Sequence, residues 1–384
     1  MAKSRRAAEE PAAERLHARA AARRPLLGQA RAVTDLSQLL ATGRVPSSLI
    51  LHGPAGVGKM TAAKRLAALL LDPAADRGSF ERFEPPATGE VAELLAAGTH
   101  PDLHLIAKHR CADSQVAELR DRKQTNIPID LLRELMIGGN VGGARFDAAV
   151  QRTPYLGHGK VFLIDEAELL DATGQNALLK VLEEPPSRTW IVLCVTDRTR
   201  LLPTIRSRCH QIAFSPLDEA SMGSWFDALE PSPAGEARRW LAEFAEGSPG
   251  RAMLAIDAGL LEWERVLGPR FDDLTSGRGG AGMPETMAEL VKGFSEAQVK
   301  RDPKASKEAA NRLASRILLS ILGARVRRRL VEAAEAGDLD STDRWSEWID
   351  RLDLADRHLD ANVSLLHALA DLVAGWERLA ASPR

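Results

Sequence analysis

Aromatic residues make up only 4% of the chain, with a single tyrosine, so the core has to be built from Leu, Val, Ile and Ala. Cysteine is as scarce. The three present, Cys111, Cys194 and Cys209, are odd in number and far apart, and no CxxC pair exists. That excludes a disulfide framework and a zinc site, and it fits reduced thiols in a cytosolic protein. No apolar run reaches the roughly 20 residues needed to cross a bilayer. The N-terminal stretch lacks the apolar core of a signal peptide. Neither sign of charge is in excess: 51 Lys and Arg face 53 Asp and Glu. A chain that gripped nucleic acid unaided would be more basic, so any DNA contact is expected to be shared with partners.

What is present is enough for two or three domains in 384 residues. Met1 to Arg24, rich in Ala, Arg and Glu, reads as a frayed or weakly helical arm, with an arginine contact to DNA as an alternative. Folding is expected to begin at Pro25. Apolar positions at Ala32, Val33, Leu36, Leu39 and Leu40 predict a helix that Gly43 ends. Ser48 to Leu51 is a strand.

That strand runs into Gly53-Pro54-Ala55-Gly56-Val57-Gly58-Lys59 and then a helix from Thr61 to Leu71. Strand, glycine-rich turn and helix make a phosphate-binding loop. Its N-H groups can curl around an anion, the helix N-terminus adds partial positive charge, and Lys59 reaches the outer phosphates. The residue after the lysine should carry a hydroxyl for Mg²⁺, but it is Met60, and a thioether is a poor ligand for a hard cation. Thr61, about 100° further round the helix, cannot simply take over. Two readings stay open: a loop that binds ATP with crippled Mg²⁺ handling, or a vestigial turn kept for its shape.

Asp72 to about Ala117 interrupts the strand and helix alternation, with a short helix near Glu90 to Ala97 and a possible strand at Leu103 to Ala107. His100 and Asp102 lack a third ligand nearby and read as a turn. Ile129 starts another helix with Asp130 as its expected N-cap. Gly138 to Gly143 reads as a flexible turn.

The organising stretch is Lys160 to Phe214. Val161-Phe162-Leu163-Ile164 is a buried parallel strand ending in Asp165-Glu166. Ligand chemistry in such sheets collects at the carboxyl ends of strands. A helix from about Gln175 stops before Pro185-Pro186. A second buried strand, Trp190 to Val195, ends in Thr196-Asp197. Ser207-Arg208-Cys209 and a short strand at Gln211 to Phe214 follow.

The loop GPAGVGK, the strand FLIDEAELL, the helix QNALLKVLEEPP and LLPTIRSRC together resemble AAA+ subunits of the bacterial sliding-clamp loader, of delta-prime type. The similarity is dense from Pro25 to Phe214. It implies an α/β fold: an AAA+ P-loop parallel-sheet domain (25–215), a small helical lid domain (216–278) and an all-helical collar domain (279–384). It implies that Asp165 holds Mg²⁺ through water and that Glu166 polarises the attacking water. Thr196 then sits at a sensor of the γ-phosphate, where Asp197 replaces a common Asn. Arg208 matches an arginine finger that acts in trans, with Arg206 as a neighbouring candidate. In Glu246-Gly247-Ser248-Pro249-Gly250-Arg251, hydrolysing relatives carry arginine where this chain has Gly250.

Trp225, Leu229, Trp240, Leu241 and Phe244 are the expected core of the lid. Gly277 to Gly282 is a hinge, with helical breaks expected near Asp302-Pro303 and Gly337-Asp338. Asn362 to Leu369 resembles the last collar helix, and Arg325, Arg327, Arg328 and Arg329 read as a solvated or interfacial basic run. The resemblance implies a cytoplasmic stator with little ATPase of its own. Its implied partners are motor and delta-type subunits, and through them the sliding clamp and primer-template DNA. A motor subunit of the same assembly and a stand-alone AAA+ remodelling ATPase are the alternatives.

Overall fold

The computed structural model describes residues 26–122, 125–301, 306–361 and 363–381. The N-terminal arm, the start at Pro25, the break near Asp302-Pro303 and Asn362 lie outside them. The described residues fall into two compact units. One holds the chain up to Trp225 together with Gly247–Gly250, and the other holds Phe226–Glu246 and Arg251 onward.

The first unit is built on a five-stranded parallel sheet, in keeping with the AAA+ architecture expected above. Its strands are β1 (Ser48–His52), β2 (Leu103–Ile106), β5 (Lys160–Ile164), β6 (Thr189–Val195) and β7 (His210–Ala213). Their order is β2-β5-β6-β1-β7. The branched runs predicted as strands are buried on both faces, as a parallel sheet covered by helices requires. Register puts His52 beside Val195 and Ile164 beside Leu193. The carboxyl ends of β5, β6 and β1 therefore open onto one edge. One core lies on each side of the sheet, around Phe162, Ile164 and Leu193 on one face and Leu49, Leu66 and Val192 on the other.

Several local expectations shift by physical cause. The helix expected from Gln175 starts at Ala172, because the Asp171 carboxylate accepts the Gly174 N-H at 2.7 Å and caps it earlier. Asp130 is not an N-cap. Pro128 holds that place, and Asp130 lies in the first turn, paired with Arg133 at 2.8 Å. Gly138 to Gly143 is not a loose turn. β3 (Gly139–Val141) and β4 (Ala144–Phe146) form a hairpin, and Gly142-Gly143, both at positive φ, make its two-residue turn. The stretch 72–117 contains β2, which closes the sheet edge beside β5. His100 and Asp102 do form a turn, but a buried one. The Asp102 carboxylate accepts the N-H groups of Tyr155 and Leu156 at 2.6 and 2.8 Å.

The second unit is helical. Its longest helices are Leu260–Thr275, Met283–Arg301, Lys307–Glu335, Leu339–Asp360 and Leu365–Ala381. Its core uses the few aromatics well. Phe271, Trp345, Trp348 and Trp376 meet in stacked and edge-on pairs, and the Trp376 indole N-H donates to the Trp348 carbonyl at 3.1 Å. Of the expected lid core, Trp225, Leu229, Leu241 and Phe244 are buried, while Trp240 is half-buried and stacks on Phe244. The arginine run is in part solvated: Arg327, Arg328 and Arg329 are exposed, while Arg325 is largely hidden. Arg325 pairs with the half-hidden Glu264 at 2.5 Å, Arg327 with Glu246, and Arg328 with Glu243, all within this unit.

Candidate functional site

Each carbonyl of the phosphate loop has a partner of its own. Lys59 Nζ donates to the Gly53 and Pro54 oxygens, both at 2.6 Å. Ser248 Oγ donates to the Ala55 oxygen at 2.8 Å, and the Gly250 N-H to the Gly56 oxygen at 2.9 Å. Gln29 Nε2 donates to the Val57 oxygen at 3.2 Å, and the Ala62 N-H to the Gly58 oxygen at 2.9 Å. The N-H groups from Ala55 to Lys59 make no hydrogen bond within the described residues. A loop with its acceptors satisfied and its donors free is an anion cradle. The helix Lys59–Leu71 behind it has no side-chain cap and no acid in its first turn, so its positive end stays open.

The close approach of Gly250 explains a departure noted in the sequence. A Cβ on Gly250 would stand 2.6 Å from the Gly56 Cα, and a Cβ on Gly56 would stand 2.5 Å from Ser248 Oγ. Gly56 also has φ +75, so only glycine serves there without strain. The slot where the resemblance implies an arginine is therefore filled by backbone lying on the loop. Arg251, one place later, is held in the second unit, where it pairs with Glu246 and donates to Ser320 Oγ at 2.7 Å.

Phosphate fits this cradle, but Mg²⁺ finds a poor donor set. Met60 is half-buried and its side chain packs into the apolar core. Burial first, and Glu166 second, push the Asp165 carboxyl above its usual range. Burial also holds the Lys59 ammonium below its ordinary value, opposed by Cys194, Glu168, Asp165 and Glu166. Among the described residues there is no cluster of three or more His, Cys, Asp or Glu suited to a metal.

Glu166 has φ +49, a strained conformation for a non-glycine residue at a strand end, and its carboxylate pairs with Lys108 at 2.7 Å. Thr196 is exposed just past β6, yet its N-H donates to Glu168 Oε1 at 2.8 Å and its hydroxyl donates to the same oxygen. Asp197 turns away. It accepts the Thr199 hydroxyl and N-H, and these bonds hold its carboxyl below its usual range.

Arg208 is exposed after the short helix Pro203–Arg206. Its guanidinium pairs with Glu183 at 2.7 Å, and its Nη1 donates to the Thr204 carbonyl at 3.1 Å. Arg206 is a poorer candidate, because its Nε is buried. Cys209, next to the arginine, is a buried thiol that desolvation pushes up to about 12.

The structure thus gathers Gly53 to Lys59, Asp165, Glu166 and Thr196 at one edge of the sheet and leaves Arg208 on the surface with Glu183. Sequence reasoning missed Gln29, Lys108, Glu168, Glu183 and Ser248 as parts of these sites. Glu168 and Glu183 stood inside the quoted motifs, and their spacing from Asp165 and Arg208 was available. Ser248 also stood inside a quoted segment, though its contact with Ala55 was not foreseen, and Gln29 and Lys108 are brought in by tertiary contact and left no local signal.

Residues 28–218 match the family described as DNA polymerase III, delta subunit. The chain is 34% identical over 231 residues to the DNA polymerase III subunit delta' of Pseudomonas aeruginosa, covering 59% of this chain and 60% of that one. It is 30% identical over 161 residues to the subunit delta' of Escherichia coli K12, covering 42% and 41%. It thus spans less than two thirds of either relative. The subunit tau of Escherichia coli K12 is 31% identical over 236 residues, covering 60% of this chain and 32% of that one. Among solved structures, a DNA polymerase III gamma-subunit-related protein of Thermotoga maritima aligns at TM-score 0.37 and 16% identity, over 90% of this chain and all of that one. A RuvB variant of the same organism aligns at TM-score 0.33 and 14% identity, over 63% of this chain and 64% of that one. Residues 28–218, just under half of the chain, thus resemble the family described as DNA polymerase III, delta subunit, and the chain is similar to the delta' subunits.

Proposed function

We propose that this chain is the delta-prime-type stator of a DNA polymerase III clamp loader. It presents Arg208 to the ATP of a neighbouring motor subunit and hydrolyses little or none itself. A guanidinium offered across a subunit interface neutralises charge that develops on a transferring γ-phosphoryl group. The observation that carries this reading is the exposed Arg208, held by the Glu183 carboxylate at 2.7 Å. Its own pocket supports the same division of labour: Met60 replaces the magnesium hydroxyl, Glu166 is paired with Lys108, and Gly250 stands where an arginine would act. Asp165, Glu166 and Thr196 are then remnants of a hydrolytic set, and ATP at Gly53 to Thr61 is weak or absent.

On this reading the second unit supplies a lid and a collar, and the partners are motor and delta-type subunits. The clamp and the primer-template junction are reached through the complex, in the cytoplasm. No helix of the described residues is long and apolar enough to cross a membrane. The purified chain should be a monomer in light scattering, show no magnesium-dependent ATP turnover, and assemble only with other subunits. Turnover by the isolated chain would favour the motor reading, which the gamma and tau relatives keep in view. A homo-oligomer would favour a stand-alone remodelling ATPase.

A further inference from the structure

Glu168 stands out among the groups that this function does not use. It is 7% exposed, and its Oε2 is buried without a hydrogen-bond partner. Its Oε1 takes both donors of Thr196, the backbone N-H and the hydroxyl. Thr196 follows β6, the strand between β5, which leads to Asp165, and β1, which leads to the loop. The Gly53 N-H, at the start of the loop, donates to Val195, the residue before Thr196, at 3.2 Å. The carboxylate is therefore engaged at the strand end between the phosphate cradle and Asp165. That is where the last phosphate of a nucleoside triphosphate held by the cradle would have to find its donors.

We propose that Glu168 is a specificity-determining residue that makes this pocket a nucleoside diphosphate site and rejects the triphosphate. Two physical effects act together. The donors that would hold a third phosphate are spent on Glu168. A buried carboxylate, together with Asp165 and Glu166, adds like charge beside that phosphate, and buried charges are poorly screened. The first two phosphates need only the loop N-H groups, the helix N-terminus and Lys59; Glu168 makes no hydrogen bond to these donors and acts on Lys59 only through its charge. The carboxylate thus occupies a γ-phosphate's place without closing the rest of the cradle.

The inference rests on reading residues 53–59 as a nucleotide cradle, and its test is separate from that of Arg208. The dissociation constants of fluorescent ADP and of a fluorescent non-hydrolysable ATP analogue are measured on the wild-type chain, Glu168→Gln and Glu168→Ala. Thermal melting checks that each variant folds. Glu168→Gln keeps an oxygen for Thr196 and removes only the charge. The wild-type chain should prefer the diphosphate by about tenfold or more, and Glu168→Gln should cut that preference by about tenfold, the scale of one charge-assisted contact. Equal affinities in the wild type would overturn the proposal, as would an unchanged preference in Glu168→Gln, or no binding of either nucleotide to any of the three proteins. Each of those results leaves the reading of Arg208 in the complex untouched.

Discussion

Replacing Gly250 by alanine should release the short segment Gly247–Gly250 from the phosphate loop. Gly250 has no positive φ, so the new methyl causes no backbone strain and the cost is purely steric. Its Cβ would stand 2.6 Å from the Gly56 Cα, where ordinary contact begins at 3.4 Å. The obstacle is backbone and cannot swing aside as a side chain would. Overpacking of this kind costs about 1–3 kcal/mol. Separation also breaks the 2.9 Å bond from the Gly250 N-H to Gly56, worth about 1 kcal/mol. A total near 2–4 kcal/mol would raise local opening by roughly 30- to 700-fold. Hydrogen exchange reads this directly. The amides of residue 250 and of Leu217, which donates to the Gly247 carbonyl at 2.7 Å, should exchange faster by that factor. The amide of Ala62, inside the following helix, should not change. If the first two amides stay within about threefold of wild type, the packing argument for a glycine at this position is wrong.

Three further outcomes follow from particular contacts. Glu183→Gln removes the carboxylate beside Arg208 at 2.7 Å. It should lower the DNA-stimulated ATPase of a reconstituted complex less than Arg208→Ala does, and leave assembly intact; an effect equal to wild type would show that Glu183 does not position the guanidinium. Lys160→Met orphans the Ala149, Val150 and Arg152 carbonyls that its buried ammonium holds. The loss should be about 2–4 kcal/mol in urea unfolding, and a loss under about 1 kcal/mol would contradict it. Burial holds His100 and His104 below their ordinary value of 6.5. Below pH 6.5 the unfolded chain binds protons that the folded chain refuses, so stability should rise with pH between about 5 and 7. His104→Phe, which keeps the stack on Phe162, should flatten that rise; an identical slope would remove His104 as its source.

Much of the first unit was legible in the sequence, because its signals are local. Branched runs at Val161–Ile164 and Trp190–Val195 have one physical solution, a strand buried on both faces, and the glycine loop announces its own conformation. The hairpin at Gly139–Phe146 was missed because two adjacent glycines look like slack until strands pair on either side of them. Asp171 outcompeted the expected helix start because a cap depends on one side chain reaching one N-H group. The site divides in the same way. Lys59, Asp165, Thr196 and Arg208 lie at strand or helix ends that periodicity locates. Gln29, Lys108 and Ser248 contribute through contacts between segments up to 193 residues apart, and no local pattern encodes such a meeting. The ion pairs of the basic run from Arg325 were hidden for a related reason, since the acidic partners, Glu243, Glu246 and Glu264, are far away in sequence.

The claim at the centre of this account is that the chain acts in a neighbour's active site through Arg208. The direct measurement is the DNA-stimulated ATPase rate of a reconstituted clamp loader whose only altered residue is Arg208→Ala in this subunit. The account predicts an assembled complex with a rate reduced at the one interface this subunit serves, and no rescue by Arg208→Lys, since lysine lacks the planar fork. An assembled complex that hydrolyses ATP at the wild-type rate would contradict it.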